Sequence, residues 1–249
     1  MSRDTARMSA CVTMTLFVSC SYAEDAGWDS LLKKYVSTES RVDYRRWKAD
    51  GVGTLDGYLQ QIASAASDKA ELINAYNALT IRWVLQNYPI ESIWRTPHPF
   101  TEARHTLNGE KISLDAIEAR LRKMGDPRIH AALVCAARSC PPLRREAYVA
   151  ARLDQQLDDN ARAWLANGTW NQFHPDRHMA VVSTIFKWYR ADFEAGGGSV
   201  EKFLERYGPP GVYRTIQYKP YHWGLNDTSA LGKNYSGAKF YWDYLHNKL

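Results

Sequence analysis

Cysteine is scarce in this chain and unevenly placed. Of four cysteines in 249 residues, Cys11 and Cys20 lie in an N-terminal apolar stretch, leaving Cys135 and Cys140 for the rest. Two cysteines and one nearby histidine, without a Cys-x-x-Cys pair, fall short of a structural zinc set. His174 and His178 are four apart, but Pro175 keeps them off a common helical face, so no metal and no cofactor is expected. No later segment approaches the roughly 20 consecutive apolar residues that span a bilayer, which excludes an integral membrane span. Basic residues are not clustered: the densest pairs, Arg45-Arg46 and Arg144-Arg145, have acidic neighbours, and the net charge is only +5. A nucleic-acid binder would gather its cations in a stripe, so the expected partner is a small molecule or a peptide. Repeats, low-complexity tracts and Pro/Gly linkers are also lacking, which favours one domain over several.

What is present begins with an export signal. Arg3 and Arg7 precede the apolar stretch Cys11 to Cys20, and Ser21-Tyr22-Ala23 supplies small residues for cleavage near Ala23. Residues 1–23 therefore read as a signal peptide and the mature protein as periplasmic or secreted. Lipid attachment at Cys20 is the alternative. Beyond it, residues 24–227 read as one domain and 228–249 as a helical extension rich in aromatics. Trp28 to Val36 and Leu55 to Ala66 have helical periodicity, and Asp68 to Asn87 is the strongest helix, capped at Ser67. Asn108-Gly109 marks a hairpin within 105–112, and Ser113 caps a helix through Lys123. Arg128 to Cys135, short and apolar, reads as a buried strand. Helices follow over 152–166, from Ser183 to Phe193 and over 200–207, with strands at 178–182 and 215–223. The fold class is α+β: a helix-rich domain on a small, mostly antiparallel sheet, with the layout of papain as one arrangement of those parts.

The chemistry concentrates between Asp126 and Leu143, which hold His130, both cysteines and Pro141-Pro142. A thiolate needs a neighbouring base or cation. On a strand, Cys135 would share a face with Ile129 and Leu133, opposite to His130, and so would be buried. Cys140, in a loop after Arg138, is then the candidate nucleophile, with His130 as its base and Glu118 orienting the imidazole. Glu118 has a competing partner in Arg122, four residues on. Asn74 and Asn77 share one helix face and either donate to an oxyanion or substrate, or tie down a neighbouring loop. Lys187, Trp188 and Asp192 either bind at the site or are a packed aromatic with solvated charges. Export also raises a Cys135–Cys140 disulfide against the free catalytic thiol, and the two remain open.

Four segments in order resemble a known family: Ile73 to Leu79, Ser113 to Glu118, Asp126 to Leu143, and Ser183 to Phe193. Over residues 65–227 the chain is similar to domain of unknown function 547. Its name states no reaction, and a glutaredoxin-like domain on some relatives implies thiol biology by association alone. Two departures stand out. Tyr221-His222-Trp223-Gly224-Leu225-Asn226 has His222 where the family has an acidic residue, and Leu133-Val134-Cys135-Ala136 replaces a Leu-Asn-Cys-Gly pattern. The expectations are thus a thiol-dependent hydrolase or acyltransferase, or alternatively a non-enzymatic envelope module with a structural disulfide. Thiol–disulfide exchange ranks third, because four residues separate the cysteines rather than two.

Overall fold

The computed structural model describes residues 16–235 and 237–247. Most of the expected leader lies outside them. Helix α1 (Leu16–Tyr35) packs with α2 (Tyr44–Asp50) and α3 (Val52–Ala65) around Trp28, Trp47 and Tyr58, with the Trp28 and Tyr58 rings stacked at 5.7 Å. Helix α4 (Lys69–Asn87) runs through this core. Its N-cap is Asp68 rather than Ser67: Asp68 accepts from the Glu71 amide while Glu71 accepts from the Asp68 amide, a reciprocal cap of about 1 kcal/mol.

Strands β1 (His105–Leu107) and β2 (Glu110–Ile112) form the expected hairpin, with Asn108 and Gly109 both at positive φ. Asn and Gly are the residues that tolerate that turn. Ser113 caps α5 (Leu114–Arg122) by accepting from the Ala116 amide. Residues 128–135 are not a strand. Asp126 caps a 3-10 turn over Pro127–Ala131 and accepts from the Arg128 amide. Pro127 sits at the first helical position, where it loses no hydrogen bond. The chain then leaves regular structure, so the facing inferred from strand alternation does not apply.

After α6 (Leu153–Leu165), β3 (Gln172–His174) pairs antiparallel with β4 (Met179–Ser183). Helices α7 (Ile185–Trp188), α8 (Arg190–Gly197) and α9 (Val200–Tyr207) follow, and β5 (Thr215–Lys219) adds to β4 in parallel. The single helix expected from Ser183 to Phe193 is thus broken at Tyr189. Gly196 of α8 approaches so near that a Cβ there would collide with the Gly125 carbonyl, which seats α8 against the 3-10 turn. Helix α10 (Ala238–Asn247) docks on the larger core through Phe240 and Tyr244 and through Asp243, which binds Arg95 at 3.1 Å. The architecture is α+β. Two apolar clusters build it: a larger one from α1 to α5, and a smaller one from α6, β4 and α7 to α9. The turn from Pro127 lies at their seam, with Ile129 and Ala132 in the first and Ala131 in the second. Among the described residues, no helix is long and apolar enough to cross a membrane.

Candidate active site

A cleft of about 120 Å³ opens at that seam. Its walls are aromatic: Tyr76, Phe100, Trp188, Tyr189, Tyr221 and Trp223. Its polar groups are Asp115, Glu118, His130 and Cys135. The volume is well below the roughly 300–1,000 Å³ of drug-sized pockets, so what reaches the sulfur is a small group.

Asn77 aims the reactive segment into the cleft. From α4 its amide donates to the Ala132 carbonyl at 3.0 Å and accepts from the Val134 amide at 2.8 Å. Asn74 does the same for Tyr148, at 2.7 and 2.9 Å. Both side chains therefore tie down loops, one of the two roles their shared face allowed. Asn160 of α6 holds the Ala131 carbonyl from the other side.

The two cysteines differ from the sequence expectation in place and partner. Cys135 faces the cleft, whereas Cys140, only 9% exposed, does not line it. Ala136 turns the backbone at φ 62°, a conformation costly for a residue with a Cβ, and this brings the two sulfurs together. They are 2.7 Å apart, inside van der Waals contact and beyond the roughly 2.05 Å of a disulfide. Both thiols are free. Cys140 Sγ accepts from the amides of Cys135 and Ala137, each at 3.2 Å, and from the Tyr221 hydroxyl at 3.3 Å. The same hydroxyl lies 3.2 Å from Cys135 Sγ. Burial raises both thiols. In Cys135 the adjoining Cys140 adds to it, and the thiol lies well above its usual range. In Cys140 the hydrogen bonds from Cys135, Tyr221 and the two amides outweigh burial and hold the thiol below that range. One sulfur therefore sits in a cradle of donors, beside a second thiol that faces the cleft.

His130 is 4% exposed and bonds neither sulfur. Its Nε2 lies 2.8 Å from Asp192 Oδ2, and its ring stacks on Tyr189 at 4.1 Å. Burial lowers it to about 4, against the opposing pull of Asp192, so the imidazole is neutral at pH 7. The residue that orients His130 is thus Asp192, not Glu118. Arg122 also bonds Asp192, at 2.6 and 3.0 Å, rather than pairing with Glu118. Partial burial would raise Asp192, but the bonds from Arg122 and His130 hold its carboxyl below the ordinary range. Glu118 is raised by burial, and the hydroxyl of Tyr189 offsets part of that rise. Trp188 is 48% exposed at the rim, stacked on Trp223, and Lys187 is exposed outside the lining. His222 donates from Nε2 to the Lys233 carbonyl and accepts from the Gly224 amide at Nδ1, a loop brace. Sequence reasoning missed Tyr189, Tyr221 and Trp223. Their only signal was the late run of aromatics.

Among the described residues no group of three or more His, Cys, Asp or Glu is placed to hold a metal ion. No curated protein and no solved structure matches the chain. Residues 60–165 match the family model described as "Protein of unknown function, DUF547", a stretch that holds Asn77, Glu118, His130 and both thiols but ends before Trp188 and Asp192. The match assigns that stretch of the chain, residues 60–165, to the DUF547 family.

Proposed function

We propose that this protein is a dithiol enzyme that exchanges thiols with a disulfide presented to the cleft. The observation that carries the reading is the sulfur pair: a cleft-facing thiol 2.7 Å from a second sulfur that two amides and the Tyr221 hydroxyl surround. Cys135 attacks one sulfur of the substrate disulfide as its proton passes to solvent. A mixed disulfide forms and the first substrate thiolate leaves. Cys140, whose proton goes to that thiolate, then attacks Cys135 Sγ. The Cys135–Cys140 disulfide forms and the second substrate thiolate departs. Export, proposed from the leader alone, would place such chemistry in a compartment where disulfides persist. With dithiothreitol as reductant, the wild type should turn over a glutathione-capped peptide thiol and Cys135→Ser should not. A wild-type rate in Cys135→Ser would sink the proposal.

Acyl transfer through Cys135 is the second reading. One observation favours it: neutral His130 and the raised carboxyl of Glu118 share the cleft, and disulfide exchange has no use for either. Under that reading the wild type hydrolyses a small thioester without consuming disulfides, and Glu118→Gln abolishes the activity.

A further inference from the structure

Cys140 belongs to the wall of a second cavity, of about 210 Å³, which shares no lining residue with the aromatic cleft. Two guanidinium groups, of Arg41 and Arg138, also line it. Arg41 follows a tight loop whose backbone is fixed by bonds from Ser37 N to Arg41 O and from Arg41 N to Ser37 Oγ. Its half-buried side chain makes no ion pair and no hydrogen bond among the described residues. Burial lowers its pKa, which marks a charge held away from water at a cost. Arg138 donates through Nη2 to the carbonyls of Ser229 and Leu231, at 3.1 and 3.2 Å, but its buried Nε has no partner. Two carboxylates lie near. Glu39 is exposed on the cavity wall and accepts from Thr38, and Asp227 accepts from the Ser229 amide. Neither forms an ion pair with Arg41 or Arg138 among the described residues.

Two cations on one small cavity, one of them with a buried Nε–H that has no partner, are the chemistry of oxyanion recognition. We infer that this cavity binds a small oxyanion, a carboxylate or a phosphate group, through Arg41 and Arg138. The site goes beyond the thiol chemistry and stands without it.

The experiment is a calorimetric titration with inorganic phosphate and, separately, acetate, at an ionic strength fixed with sodium chloride. Saturable one-to-one binding of either ion is expected, and which one binds identifies the group. Arg41→Gln should weaken it by about tenfold or more, the loss of a charge-assisted bond. Since that side chain makes no hydrogen bond or ion pair among the described residues, the variant should keep the wild-type circular dichroism spectrum. A variant with both cysteines changed to serine should still bind, which separates this site from the proposed enzyme. Absence of saturation with both ions, or equal affinity in Arg41→Gln, overturns the inference.

Discussion

His130 and Asp192, 62 positions apart in sequence, are joined by one 2.8 Å bond between Nε2 and Oδ2. Because burial lowers His130 from 6.5 to about 4, the unfolded chain takes up a proton between those values that the folded chain refuses. Stability is therefore complete above pH 6.5 and falls as the pH drops toward 4, by about 3 kcal/mol at most. His105, lowered to about 4 by burial and by Arg104 and Lys111, acts in the same direction. Urea unfolding at a series of pH values should show a shallower slope in His130→Asn than in wild type. An identical slope would mean that His130 is not held neutral by the fold.

Glu118 should behave in the opposite sense. Its folded pKa is raised, so its contribution is present at low pH and lost as the pH rises through the folded value. Glu118→Gln should melt at or above the wild-type temperature at pH 7, with the advantage vanishing near pH 4. A variant less stable at pH 7 than at pH 4, relative to wild type, contradicts this.

Asn77→Ala leaves the buried Ala132 carbonyl and Val134 amide without their partner, at a cost of about 2–4 kcal/mol. Denaturant midpoints measure that loss. Since Asn77 also aims the segment that carries Cys135, the alkylation rate of Cys135 should change in the same variant. Asn74→Ala, which frees Tyr148 rather than the Cys135 segment, should lower stability and leave that rate alone.

Under limiting iodoacetamide, peptide mapping should find the label on Cys135, since it faces the cleft while Cys140 is enclosed. The rate should rise only at a pH above the range of an ordinary thiol, because burial and the adjoining Cys140 raise the Cys135 thiol. Cys140→Ser should speed the labelling of Cys135, since the adjoining sulfur no longer raises its thiol. Preferential labelling of Cys140 would reverse the assigned roles.

The legible parts of this protein were those with local causes. The Asn108-Gly109 hairpin, the Ser113 cap and the apolar stripe of α4 each follow from a few adjacent residues. The segment at 128–135 misled because a short, alanine-containing apolar run is compatible with strand or helix. The Asp126-Pro127 pair, a helix-start signal, was the better guide. The site itself depended on long-range partners. Asp192 lies far along the chain from His130, whereas Glu118 is near it in sequence. The inversion of the two cysteines rests on a positive φ at Ala136, which no neighbouring residue announces.

The most direct test is intact-mass analysis of reduced wild-type protein after incubation with glutathione disulfide. The dithiol account predicts loss of both free thiols and of two hydrogens, with no glutathione retained, as Cys140 resolves the adduct on Cys135. A stable glutathione adduct on the wild type, or two thiols still titratable at the end, would contradict it.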